Sequence, residues 1–371
     1  MERGIVMSKY LVKLMPLGKF FFGGDMTFKI GNKETAFSSY IIHSFTTPQQ
    51  TSILGMMRFL ILSNNDEAFN IKENRIKDQN KANALIGENG FTVCGDHKEV
   101  NYCSILRIGP CFMLDTQNRM PYFKASRDMD LQLVGESNGM DAIVDGMHFR
   151  IPDIYIKTKE ETRHFTGKDY LSHYYRSLDG KDLKQENELF IEDIRVGINK
   201  NYSGKTENEA FYKQVSYRLK DNFCFAFEVE VSDSIKLTTY NKQVVKLGAD
   251  DSSFVFEAEQ INKNDYPVSE NELKVVLLSD TYLPDVSTCQ LRFAITEVRP
   301  FRFLFFKNNT NAQSYNVLNV IKDKSYNPAK RYDLYQAGSV FYFENKKDKE
   351  AFCRKIDSYA EFKQIGYNQY C

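Results

Sequence analysis

The chain has 371 residues, room for two domains or one large one, and its 42% apolar content, with 29 Phe and 22 Tyr, supplies a sizeable core. Its 49 basic and 49 acidic residues cancel, which argues against an autonomous, uniformly basic nucleic-acid binder and leaves room only for a local basic face. Mean hydropathy is −0.47. The strongest apolar helix, Ser52 to Leu62, is too short for a bilayer and carries Arg58 at its middle, so no membrane partner is expected.

The start, Met-Glu-Arg, runs into a strand rather than a signal peptide. Seven cysteines, at 94, 103, 111, 224, 289, 353 and 371, include no C-x-x-C pair. They fit neither a zinc knuckle nor a disulfide framework, and a reducing cytoplasm is expected. Five scattered histidines suggest no metal site, and no cofactor is expected.

In chain order, Lys9 to Met15 alternates as a strand with Tyr10, Val12 and Leu14 on one side. A second extended piece ends in a turn at Phe20 to Gly24. At Ser44 to Thr51, Thr47 fits a helix N-cap, Pro48 the first helical position and Gln50 a capping-box partner. Ile53, Leu54, Met57, Leu60 and Ile61 then recur at helical spacing. Residues 63–90 read as helix with loops, and Tyr102 to Leu114 as strand around Gly109-Pro110. Residues 157–190 read as an insertion or long surface loop. Ile194 to Ile198 and Phe211 to Leu219 are two extended segments around a polar loop, and Phe223 to Val231 is a clear strand. Leu291 to Phe306 is strand-rich, Val340 to Phe343 is a short strand, and Lys347 to Phe362 is an amphipathic helix. These patterns predict an α+β protein of two ferredoxin-like (RRM-like) domains with insertions, over residues 8–240 and 241–371.

Three segments are candidate sites. The helix start exposes backbone N–H groups that suit a phosphate, and Ser44, Thr46, Thr47, Gln50 and Thr51 surround it, with Lys19 and His43 nearby and Arg58 further along the helix. The same run also reads as an ordinary cap. Arg195, Asn199, Lys200, Lys213 and Arg218 interleave with Tyr202, Tyr212 and Tyr217, a mixture that suits single-stranded RNA; a plain strand pair fits it equally. Gly338-Ser339, before a strand, allows close approach of RNA or of another strand. No G-x-S-x-G, P-loop or H-x-x-x-H pattern occurs. His43 is the one candidate general base, and Asp25 fits a turn.

Taken in order, these segments resemble the third subunit of type III-B (Cmr) CRISPR complexes, within the RAMP superfamily. The resemblance rests on Phe20 to Asp25, Thr46-Thr47-Pro48 with its helix, Gly109 to Met113, Arg195 to Ile198 with Ala210 to Tyr212, Leu247-Gly248-Ala249, and Ala337 to Phe343. Cys111 stands where the family tends to have an aromatic residue, Gly248-Ala249 replaces Gly-Gly, and the chain has no Trp. The resemblance implies two ferredoxin-like domains, no nuclease activity and a grip on the 5′ tag of the guide RNA. It also implies contact with the large polymerase–cyclase subunit and with backbone RAMP subunits, and with target RNA only indirectly. Asp25 lacks the context of the target-cleaving subunits. The alternatives are a guide-processing endoribonuclease of the same superfamily, a related Csm-kind subunit, and a scaffold that touches only protein.

Overall fold

The computed structural model describes residues 7–24, 26–29, 39–93, 95–128, 132–144, 147–157, 162–164, 173–200, 206–262, 266–267, 272–306, 326–328 and 331–371. Asp25, Cys94 and Tyr202 lie outside them. The chain opens with β1 (Met7–Pro16), β2 (Met26–Lys29) and β3 (Ser39–His43), and then forms α1 (Gln50–Ser63). After α2 (Gln79–Ile86) come β4 (Ile105–Ile108), β5 (Phe112–Asp115) and β6 (Pro121–Lys124). Next are β7 (Tyr174–Ser177), β8 (Leu183–Gln185), β9 (Phe190–Lys200), β10 (Thr206–Leu219) and β11 (Phe223–Ser232). They are followed by β12 (Val244–Lys246), β13 (Ser253–Gln260), β14 (Lys274–Val276), β15 (Phe293–Ile295) and β16 (Val340–Tyr342). Two helices, α3 (Lys346–Asp357) and α4 (Ala360–Gln364), complete the described elements near the C-terminus.

The main sheet has nine strands in the order β8-β7-β6-β5-β11-β1-β13-β12, with β4 also paired to β11. Its alternation is what the sequence showed. Tyr10, Val12 and Leu14 of β1 are buried beside Phe225, Phe227 and Val229 of β11 and Phe254, Phe256 and Ala258 of β13. The apolar stripe of α1 (Ile53, Leu54, Met57, Leu60, Ile61) belongs to the same core cluster. Phe20 and Phe22 stack at 4.7 Å between centroids and meet Phe225 edge-on at 5.2 and 5.5 Å. Each such buried side chain stabilises the fold by about 1.5–3 kcal/mol.

Two four-strand orders share one plan. In β5-β11-β1-β13, all neighbours are antiparallel; α1 lies on the connection from β1 to β5, and the helical part of the connection from β11 to β13 is one 3₁₀ turn, Leu237–Tyr240, followed by β12. In the second unit β15-β16-β14 continues onto the C-terminal residues, where Val276 and Cys371 exchange two backbone bonds at 2.9 Å and Leu277 bridges Tyr370. There a 3₁₀ turn, Val286–Thr288, stands between β14 and β15, and α3 and α4 follow β16.

The sheet pairing corrects two expectations. Strands β12 and β13 pair in the first sheet, so the expected division at 240/241 cuts through that sheet, and sheet membership changes between 260 and 274. Within 157–190, expected as a loop, β7 pairs with β6 and β8 and extends the main sheet. Its alternation is only four residues long and includes Arg176, too short a pattern to stand out.

Beside the main sheet, β9-β10-β3-β2 form a second sheet in which β10 and β3 run parallel. This sheet carries the expected extended pair, 190–200 and 206–219, as one long antiparallel ladder.

Candidate nucleic-acid interface

The bend before α1 is built differently from the expected capping box. The helix begins at Gln50, its N-cap is Gln49 in an extended conformation, and no side chain caps it. Gln50 instead turns into the protein: its buried amide donates to the carbonyls of Gly109 (2.7 Å) and Ile365 (3.0 Å). Those carbonyls lie 59 and 315 residues away, so a local motif gave way to a tertiary one. Thr51 lies against the Tyr367 hydroxyl. Ser44 is buried, accepting from the Phe22 N–H (2.9 Å) and donating to the Phe45 carbonyl (2.7 Å). Over Phe45, at 3.7 Å from the ring centroid, stands the guanidinium of Arg299, itself paired with Asp280 at 3.0 Å.

Three further candidates also face protein. Arg58 donates to the carbonyls of Ile86 (3.0 Å) and Gly87 (3.1 Å), satisfying the end of α2. Gly338 has φ of +86° and a Cβ there would come within 2.5 Å of the Ala125 carbonyl, while its own carbonyl accepts from the Arg127 N–H. Ser339 is fully buried. The close approach that the sequence left open is therefore to another segment of the chain. Ser44, Gln50, Arg58, Gly338 and Ser339 thus all have partners within the protein.

Of the remaining candidates, Lys19 and Arg218 meet at the joint between the two sheets. Phe20 bridges Tyr217 of β10, which sets Lys19 beside Arg218. Both cations reach Asp193 of β9: Lys19 at 3.4 Å and Arg218 at 2.6 Å. The Arg218 hydrogen bond, helped by Lys19, holds the Asp193 carboxyl below its ordinary range.

A second carboxylate repeats the arrangement. Glu186 takes Lys124 of β6 at 3.1 Å and His173 at 2.9 Å, and Lys124 lies 4.3 Å from the centroid of the Tyr175 ring. Burial alone would raise the Glu186 carboxyl, but Lys124, His173 and Thr46 outweigh it and the group is held low. Burial likewise opposes the Lys124 charge, and Tyr175 and Glu186 keep the ammonium protonated. The Phe190 ring packs against both Tyr175 (5.9 Å) and Tyr217 (6.1 Å), so the two groups adjoin one aromatic cluster.

Around this strip, Arg195 is exposed on β9 opposite Gln214, and His43 is exposed on β3 opposite Val215. Thr47 is half-buried at the bend. Asn199 and Lys200 end β9, and Tyr212 pairs with Gly197 and Tyr40; their backbone alone is described. Sequence reasoning missed Lys124, His173, Tyr175 and Glu186. The only signal available was the Tyr-Tyr-Arg alternation at 174–176, inside a stretch rich in Lys, Glu and Asp. Among the described residues no group of three or more His, Cys, Asp or Glu is placed to hold a metal ion. No described helix is long and apolar enough to cross a membrane.

Residues 12–371 match the family model described as CRISPR-associated protein (Cas_Cmr3). The chain belongs to that family. This makes it a Cmr3-type subunit of a type III-B CRISPR complex, in agreement with the resemblance carried by its motifs. Among solved structures it is similar to a chain of the type III-B Cmr-beta complex bound to cognate target RNA, with 12% identity and a TM-score of 0.48, covering 98% of this chain and 96% of that one. The same complex with AMPPnP gives 12% identity and a TM-score of 0.48, with 98% and 95% covered. A chain of the Csm3-Csm4 subcomplex of a type III-A complex gives 8% identity and a TM-score of 0.34, with 90% and 92% covered. No curated protein sequence matches the chain.

Proposed function

We propose that this Cmr3-type subunit is a non-catalytic RNA-binding protein that holds the 5′ tag of the guide RNA in the cytoplasm. In this reading it joins the large polymerase–cyclase subunit to the backbone RAMP subunits and meets target RNA only indirectly. Membership of the family across residues 12–371 carries the reading. The strip from His173 to Arg218 supports it, because Lys19, Lys124, His173 and Arg218 lie there on a chain that is neutral overall. The fold reading goes with it: both units follow the strand order of a ferredoxin-like sheet, each with one of its two crossover helices reduced to a 3₁₀ turn.

The test is nuclease protection of the guide in the purified complex, with and without this subunit. Protection of the 5′ tag that disappears when the subunit is omitted supports the assignment. A tag equally protected without it would overturn the reading, and cleavage of repeat RNA by the subunit alone would replace it with the endoribonuclease.

A further inference from the structure

We propose that the cavity between β4, β11 and the C-terminal residues seats one unstacked guanine of the guide RNA. The inference rests on the RNA-binding reading and assigns a base contact within it. Glu228 and Glu230 of β11 alternate with the buried Phe227, Val229 and Val231, so they lie on the other face of the main sheet. There they line a cavity of about 290 Å³ together with Lys9, Arg107, Tyr266 and Gln369. Ligand sites run from roughly 300 Å³ upward, so this one has room for a single base and its ribose.

The lining is polar and incompletely paired. Glu228 is only 7% exposed. Lys9 (3.2 Å) and the Tyr266 hydroxyl (3.0 Å) both approach its Oε2, and no described residue bonds to Oε1. The Gln369 amide nitrogen donates to the carbonyls of Lys363 (3.2 Å) and Tyr367 (3.1 Å), which leaves its Oε1 without a donor among the described residues. Arg107 stands directly opposite Glu230 in the ladder, where opposite charges ordinarily pair. Glu230 takes Lys9 instead, and Arg107 is exposed and makes no ion pair with a described residue. Gly109 completes the wall: a Cβ there would come within 2.5 Å of the Tyr266 hydroxyl, the group that holds Glu228 in place.

The leftover groups select the ligand. Two acceptors, Glu228 Oε1 and Gln369 Oε1, call for two neighbouring donors, and the free guanidinium calls for two acceptors. Guanine alone among the four bases carries N1–H beside an N2 amino group, and its O6 and N7 match an arginine fork. Single-stranded RNA offers such edges because its bases unstack. A base with an acceptor in place of N1–H would face the buried carboxylate, so the cavity discriminates against it.

The experiment uses the assembled complex, loaded with guides that carry one 6-thioguanosine at each guanine position in turn. Irradiation and mass spectrometry are expected to place one of these positions on a peptide containing Gly109 or Tyr266. Arg107→Ala should weaken guide binding about tenfold, within the range of one arginine–guanine contact. Because Arg107 is exposed, its variant keeps the fold. Replacing the crosslinked guanine by 7-deazaguanine, which lacks the N7 acceptor, should weaken the parent several-fold and leave the Arg107→Ala complex unchanged. No crosslink to either peptide, or a guide bound as tightly by Arg107→Ala as by the parent, with the 5′ tag still protected, would overturn the inference alone. A tag unprotected in the unaltered complex would overturn it together with the RNA-binding reading.

Discussion

The two halves of the molecule solve the same covering problem in opposite ways. In the first, α1 follows the first strand and lies against the sheet, and the connection from β11 to β13 has one 3₁₀ turn as its helical part. In the second, the turn comes first and α3 and α4 come last. Neither half closes its apolar face with its own helices, so they share one. Ile53 and Met57 of α1 sit in the same core cluster as Phe352, Phe362 and Tyr367. Phe91 from the first half meets Phe301, Phe303 and Phe362 edge-on at 6.1, 5.2 and 5.1 Å. Polar clamps flank this core: His97 with fully buried Glu361 at 2.7 Å, and Gln364 with the backbone of Val100 and Leu106. The two units thus contribute side chains to one continuous core.

The largest expected break in that partnership is Gly366→Ala. Gly366 has φ of +94°, and a Cβ would overlap the Gln50 amide nitrogen and the Gly109 carbonyl. Backbone strain and the loss of that joint together should cost about 3 kcal/mol, read as a lower thermal melt. A melt within a degree of the parent would mean that the halves are joined elsewhere.

Next comes Gln50→Ala. It removes one bond within the first half, to Gly109, and one that spans the halves, to Ile365, and leaves both carbonyls without that donor, so we expect a loss of about 1–3 kcal/mol in urea melts. Thr47→Ala, which would be the costly change if the expected cap existed, should fall within about 0.5 kcal/mol of the parent. The reverse ranking would restore the capping box.

How far the sequence carried depends on the range of the forces involved. The alternation of β1 and β11 and the stripe of α1 are local patterns that burial alone produces, and they were legible. The start of α1 was not, because Thr47-Pro48-x-Gln50 satisfies every local rule while the Gln50 amide finds distant carbonyls. The missing helices left no signal, since a 3₁₀ turn of three or four residues has no period to read. Arg218 was legible as a cation among aromatics, and Lys19 as a cation near the start of α1. The carboxylates that organise them are not: Asp193 lies 174 residues from Lys19, and Glu186 lies 62 from Lys124.

A pH series sharpens the comparison between the strip and the shared core. The carboxyl of Glu186 is held low in the folded protein, so its contribution is complete above its unfolded value of about 4.3 and fades as pH falls through the folded one. Glu186→Gln should therefore be less stable than the parent at pH 6, with the gap closing toward pH 3 in urea melts. A gap independent of pH would point to packing instead of charge.

A small stability effect is also expected from Arg218→Ala. Its pair with Asp193 is more than half exposed on the arginine side, so the loss should be no more than about 1 kcal/mol. A larger drop would make Arg218 part of the joint between the sheets.

The most direct measurement is crosslinking of a guide RNA, photoactivatable at its 5′ tag, within the assembled complex, followed by mass spectrometry of this subunit. Crosslinks are expected on peptides containing Lys19, Lys124, His173 and Arg218, the cations of the strip between the two sheets. Crosslinks confined to other surfaces, with the tag nonetheless bound by the complex, would contradict the assignment of the strip as the RNA-binding face.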